Sequence, residues 1–342
     1  MSYGRALACK LGSGNAVDVF GRAMQSSGFL CDAAIAAGHE LGLFEVLAPG
    51  EPMSLGPLAS ALGLGAGQRR LGALLDVLVA RGAIRCDRSS VPRFAAVQEV
   101  PAHAVVPRMG WGLLADVIRR DQPLLVERGA GGEAERRLHH HLASSGAAAA
   151  AELAQSLLGV TSLLDLGAGA GAYSQAFLAA HPDARATLVD THEVLAIAAA
   201  WLGPLASRAR LVAGDAALVD AGSGYGAVLL ANVLHLHGAA TCTQLVAAAA
   251  RAVEPGGVVV IKDLRVDDDR SGPLEGLLFA LNMAIYSDAG TVYSTGQLRA
   301  WLADAGLVDV TEHRLAASPD AIVVVARRRA RQRRSGPTVM AR

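Results

Sequence analysis

The chain has 342 residues, 52% hydrophobic and 18% charged, enough to bury a sizeable core and to divide into two domains. Lys plus Arg and Asp plus Glu both number 31, so no whole-chain field draws in nucleic acid or an anionic membrane, and the expected partner is a small molecule or another subunit. The four cysteines, Cys9, Cys31, Cys86 and Cys242, follow no disulfide or metal-ligand spacing, and no apolar run has the length of a membrane span, which fits reduced thiols in a cytoplasm.

From Val17 to about Phe94 the pattern is helical. "FLCDAAIAAGHELGLFEVL" carries apolar residues at helical spacing, "SLGPLASALGL" starts at Ser54 as N-cap, and "GQRRLGALLDVLVARGAI" stops at Gly82. "IRCDRSSVPRFAAV" then predicts a hairpin with a polar turn, so residues 1–100 read as a mostly helical winged-helix domain. DNA binding is disfavoured for it, because its nine Lys or Arg face eight Asp or Glu and the candidate recognition helix carries Arg69, Arg70 and Arg81 against Asp76. Residues 101–158 form a connector that contains Trp111 and ends in a long helix from Glu133 to Leu158. The run "HHH" at 139–141 sits on that helix with no i, i+4 pair, so no metal site is expected there.

Over residues 159–328 strands and helices alternate, from "SLLDLG" to a final strand "AIVVVAR". The fold class is α/β, a Rossmann-like, doubly wound and mostly parallel sheet. The tail 329–342 is basic, poor in apolar residues and expected to be disordered. "LLDLGAGAGAYS" opens the sheet with a glycine loop between strand and helix, where such sheets hold a nucleotide. Gly167, Gly169 and Ala172 also satisfy a dinucleotide pattern. Asp165 separates the two readings, because a carboxylate beside the loop repels a pyrophosphate and favours the ammonium of a methionine moiety, which points to S-adenosyl-L-methionine (SAM). Asp190, 19 residues after Gly171, is placed for the ribose hydroxyls, and Asp215 for the adenine amine. Gly171 and Asn232 complete the expected cofactor set.

"LLDLGAGAGAYSQAFLAAHPDARATLVDTHEVL", "RLVAGD", "YGAVLLANVLH" and "EPGGVVVIKD" resemble the successive motifs of class I methyltransferases. With the winged helix in front, the chain resembles the two-domain small-molecule O-methyltransferases of plant phenolic and bacterial polyketide pathways, over roughly Val17 to Arg327. The resemblance implies SAM as donor, S-adenosyl-L-homocysteine (SAH) as product, and a homodimer formed through the N-terminal domain; the balanced charge and the lack of a long apolar run speak for no nucleic acid or membrane partner. It further implies His235 as catalytic base and Asp263 as the carboxylate supporting it. His139 or Leu142, with Asn282, Met283 and Ser287, are implied near the acceptor. Trp111 is taken with this pocket set.

The chemistry agrees with a histidine at that position. A phenol near pKa 10 is about a thousandth ionised at neutral pH, and a neutral imidazole is the ordinary base at that pH. The surroundings depart from the family pattern: Leu236, His237, Gly238, Ala239 and Ala240 replace its usual polar neighbours, and Val292 stands where a second carboxylate is expected. His237 is read as a bystander. The sparse shell also suits N- or C-methylation, or a reaction in which no methyl moves. A SAM-sensing DNA-binding regulator is the rival from another class.

Overall fold

The computed structural model describes residues 27–48, 51–65, 69–97, 100, 110–124 and 133–330. Residues 331–342 of the expected tail lie outside the described residues, as do the first 26.

The N-terminal unit runs α1 (Ser27–Glu40), α2 (Leu43–Leu47), β1 (Met53–Ser54), α3 (Leu55–Ala61), α4 (Arg69–Ala80), β2 (Ile84–Asp87) and β3 (Arg93–Ala96). In α4, Leu71, Leu74, Leu75 and Leu78 recur at helical spacing and are all buried. The helix stops where Gly82 takes φ 70°, and the Gly82 and Ala83 N–H groups donate to the carbonyls of Val79 and Leu78. The β2–β3 wing is antiparallel, as expected. A short strand that the sequence reading does not contain, β1, extends it by pairing Met53 with Phe94. Next come a 3-10 turn (Gly110–Leu113), α5 (Leu114–Arg120) and α6 (Glu133–Gln155).

The remaining chain forms β4 (Ser162–Leu166), α7 (Ala172–Ala180), β5 (Arg185–Asp190), α8 (His192–Leu202), β6 (Ala209–Ala213), β7 (Tyr225–Ala231), α9 (Ala239–Ala252) and β8 (Val253–Leu264). After these come α10 (Leu274–Tyr286), α11 (Thr295–Asp304), β9 (Leu307–Leu315) and β10 (Ser318–Arg328). The seven strands lie in the order β6-β5-β4-β7-β8-β10-β9, parallel from β6 to β8, with β10 antiparallel to both neighbours. The direction of winding reverses between β4 and β7, and a doubly wound sheet opens a crevice at that point.

Alternation along each strand fills two cores. Leu164, Val228 and Ile261 face α9 and α11, while Leu163, Leu229 and Val260 face α7 and α8. The single closing strand expected from the sequence is a pair. The added strand, β9, is an edge strand, "LVDVTEHRL", whose residues from Thr311 to Arg314 are all exposed, so its sequence carries no clean period of two.

Helix α10 joins the two units. Every residue from Gly276 to Ile285 is buried, and Leu277, Leu281 and Ile285 belong to the same apolar core as Leu30, Leu74 and Trp111. A helix apolar on all sides has no face for solvent, and here the N-terminal unit covers it. At its C-terminus Arg69 donates to the carbonyls of Gly290 (2.7 Å), Asp288 (3.0 Å) and Ser287 (3.1 Å). Arg70 donates to those of Ala284 (3.0 Å) and Ser287 (3.2 Å) and pairs with Asp121 at 2.7 Å. Two arginines of the candidate recognition helix thus satisfy the carbonyls that a helix end leaves open.

Candidate active site

The loop after β4 is built from backbone. Gly167, Gly169 and Gly171 take φ of 75°, 57° and 81°, a region closed to most side chains, and the Gly167 and Ala168 N–H groups hold the Val189 carbonyl. Asp190 closes β5 with Oδ2 accepting from the Gly169 N–H at 2.9 Å and Oδ1 from the Thr191 N–H at 2.7 Å. Asp165 is buried under the loop and accepts from Ser174 Oγ at 2.7 Å. Burial pushes its carboxyl up to about 7, against the pull of the Ser174 hydrogen bonds. Asp215 caps its own turn through the Ala217 N–H at 2.8 Å.

The turn after β7 is built from side chains. Asn232 leaves the strand at φ 56°, and a 3-10 turn (Leu234–Leu236) carries His235. Its Nδ1 lies 2.6 Å from Asp263 Oδ1, at the end of the neighbouring strand, and its backbone N–H donates to Asp263 Oδ2 at 3.2 Å. Both side chains are buried, and the Phe279 ring meets the imidazole edge-on at 4.9 Å between centroids. Burial alone would raise the Asp263 carboxyl. The facing imidazole, its hydrogen bond and the nearby Lys262 outweigh that and hold it below the usual carboxylate range. Since an ionised carboxylate only accepts, Nδ1 carries a proton directed at Asp263.

The loop and the turn touch. A Cβ on Gly167 would stand 2.6 Å from Val233 Cγ2, so the glycine is what lets the turn pack against the loop. The turn is braced from below as well: a Cβ on Gly290 would stand 2.5 Å from the His235 carbonyl oxygen, and Tyr293 donates to the His237 carbonyl at 2.6 Å. Burial lowers the pKa of the half-buried His237.

The residues expected to line an acceptor pocket divide. Trp111 Nε1 donates to Asn282 Oδ1 at 3.2 Å, both buried, with Met283 fully enclosed beside Asn282 on α10. His139 is buried on α6 with Nδ1 3.9 Å from where a Cβ on Gly169 would stand, so this helix lies across the glycine loop. Leu142, on the same helix, is 40% exposed. The Ser287 hydroxyl is engaged in the turn that ends α10, donating to the Met283 carbonyl and accepting from the Gly290 N–H, both at 2.8 Å. Val292, in place of an expected carboxylate, is buried in the apolar core shared with α10.

Two features were not foreseen. Lys262 is buried on β8 with Nζ donating to Asn232 Oδ1 at 2.8 Å, and the arginine pair of α4 anchors the segment beneath His235. A lysine inside "VVVIKD" was a signal the sequence carried. The arginine contacts, more than 200 residues apart in the chain, left no trace in it.

These residues suit SAM in their chemistry. The glycine loop has positive-φ positions that leave its backbone bare toward a ligand, and the carboxylates at successive strand ends match an ammonium, a ribose diol and an adenine amine. Among the described residues no cluster suited to a metal and no helix long and apolar enough to cross a membrane is present.

The chain matches the family model of an O-methyltransferase domain over residues 135–308 and that of an O-methyltransferase dimerisation domain over residues 24–99. It belongs to the SAM-dependent O-methyltransferases. The enzyme is 30% identical to 3-hydroxy-5-methyl-1-naphthoate 3-O-methyltransferase of Streptomyces sahachiroi, over 85% of this chain and 90% of that one. It is 27% identical to the tetracenomycin polyketide synthesis 8-O-methyl transferase of Streptomyces glaucescens, over 82% and 89%. A solved O-methyltransferase family 2 protein from Planctomyces limnophilus, in complex with apigenin, superposes with a TM-score of 0.67 at 25% identity, covering 94% of this chain and 98% of that one. The expected family, fold class and donor therefore stand.

Proposed function

We propose that this enzyme methylates a hydroxyl of an aromatic, polyketide-like acceptor, with His235 as the base and Asp263 as the residue that orients it. The observation that carries the reading is the buried His235–Asp263 pair at 2.6 Å, at the strand ends beside the glycine loop. The relatives named for a hydroxynaphthoate and a tetracenomycin polyketide, and the one holding apigenin, support an acceptor of this class.

Bound SAM supplies an electrophilic methyl on a sulfonium, so the protein's task is to hold the acceptor in line and remove its proton. Gly167, Gly169, Gly171, Asp165, Asp190, Asp215 and Asn232 would hold the donor. His235 Nε2 takes the hydroxyl proton, and the resulting imidazolium is stabilised by the ionised Asp263. Phe279 keeps the ring edge dry and Asp263 fixes its tautomer, so the base is set before the acceptor arrives. Trp111, Asn282, Met283, His139, Leu142 and Ser287 stand as the acceptor-side set, with the last two contributing surface and shape. The dimerisation domain supports a homodimer formed through residues 24–99, which sedimentation would show as twice the chain mass.

The test is to incubate the purified enzyme with SAM and a panel of hydroxynaphthoates and polyhydroxylated polyketides, following product and SAH by mass spectrometry. A methylated acceptor with equimolar SAH is expected. SAH formation with no acceptor gaining a methyl would overturn the reading.

A further inference from the structure

Lys262 is a buried ammonium for which the proposed methyl transfer has no use. It is 6% exposed, and it donates to a neutral amide oxygen, Asn232 Oδ1 at 2.8 Å. Asp263, whose charge acts on the lysine, is committed to His235 and to the Leu264 N–H. Taking a charge out of water is expensive, and burial depresses this lysine's pKa against the opposing pull of Asp263.

The sheet fixes where the ammonium lies. Strand alternation puts Lys262 on the same face as Val260, two residues earlier, and Asp165 on the same face as Leu163; Val260 and Leu163 share the core that faces α7 and α8. Lys262 also pairs in register with Ala231, the last residue of β7, a small side chain that leaves room beside the lysine. The Asn232 amide that receives Nζ also lies against the buried Tyr173 hydroxyl. So a carboxylate under the glycine loop and an ammonium two strands away flank β7 on one face, with the Tyr173 hydroxyl beside the amide that holds the ammonium.

We propose that Lys262, with Asn232 and the Tyr173 hydroxyl, forms a subsite for a carboxylate at the carboxyl edge of β7 and β8. Two bound molecules could bring that group: the amino-acid end of the donor, whose ammonium would then fall toward Asp165, or an acidic acceptor. The opposed charges of Asp165 and Lys262 match an amino-acid zwitterion, which favours the donor. The inference rests on the reading that SAM binds at this edge.

Calorimetry on the full-length enzyme separates the possibilities, using SAH, its decarboxylated analogue, and a hydroxynaphthoate with its methyl ester in the presence of SAH. For a donor subsite, wild type binds SAH about tenfold or more tighter than the decarboxylated analogue; Lys262→Met abolishes that preference and Lys262→Arg keeps it. For an acceptor subsite, Lys262→Met instead removes a preference for the hydroxynaphthoate over its ester. Unchanged analogue binding to Lys262→Met shows that the variant is folded. If wild type distinguishes neither pair by more than about threefold, the subsite is overturned, whatever the variants do. If neither SAH nor its analogue binds wild type at all, it is the donor-site reading that fails.

Discussion

The loop after β4 and the turn after β7 lie against each other across the switch point, and they are made in opposite ways. The loop is almost all backbone: three positive-φ glycines, two N–H groups on the Val189 carbonyl and one on Asp190. The turn is almost all side chain: an imidazole on a carboxylate 28 residues away, a phenyl edge, and a lysine on an amide. A backbone cradle is shape, and it suits a ligand that every family member shares. A side-chain cluster is chemistry, and it can be retuned without disturbing the cradle.

The difference gives variants at the two places distinct signatures. Removing the base should do most. His235→Ala is expected to lower kcat/KM by about 10²–10⁴ while SAH affinity changes less than twofold, and Asp263→Asn by about 10–100. Near wild-type turnover of a phenolic acceptor by His235→Ala would remove the histidine from the mechanism. Gly167→Ala should act on the cradle instead: its Cβ meets Val233 at 2.6 Å from a left-handed backbone, so about 1–3 kcal/mol of stability and much of the SAH affinity should go. Thermal unfolding and calorimetry would measure the two losses, and normal binding would show that the loop yields.

Asp165 offers a pH test of the same comparison. Its folded-state pKa of about 7 lies above the unfolded value near 3.9, so its ionisation costs stability as pH rises from about 4 through 7. Asp165→Asn should therefore stabilise the ligand-free enzyme at pH 8, by on the order of 2–4 kcal/mol, with no gain below pH 4, and should weaken SAM binding. A gain of equal size at both ends of the range would show that burial of the carboxyl is not its source. Asp263 has the opposite sign. Its depressed pKa adds stability that is present above the unfolded value and lost as pH falls through the folded one.

Smaller effects should follow from parts outside both. Arg69→Met removes three hydrogen bonds to the segment under His235, for about 1–3 kcal/mol by denaturant titration and a fall in kcat rather than in SAH affinity. Leu142→Ala, on a 40% exposed side chain, should move stability by less than about 0.5 kcal/mol. A larger loss would mean that a second subunit or the acceptor covers it.

Most of the sheet, the glycine loop and the histidine's address could be read from the chain, because each depends on a local period or a motif spanning a few residues. The strand β9 could not, since Thr311, Glu312, His313 and Arg314 in succession are exposed on both faces and leave no such period. Ser287 illustrates a different limit: a position in the sequence does not record that its hydroxyl is engaged by the turn that ends its own helix.

By itself the sequence determined the fold class, the family and the carboxylates along the strand ends, because strand register carries each of them to the same edge. Only the tertiary structure decided that Lys262 is buried beside Asn232, and that Arg69 and Arg70 secure α10 rather than presenting a charged face to solvent. Those pairings join strands and helices distant in the chain. Their energy comes from desolvated charges brought together by packing, and a one-dimensional pattern does not record which buried charge faces which.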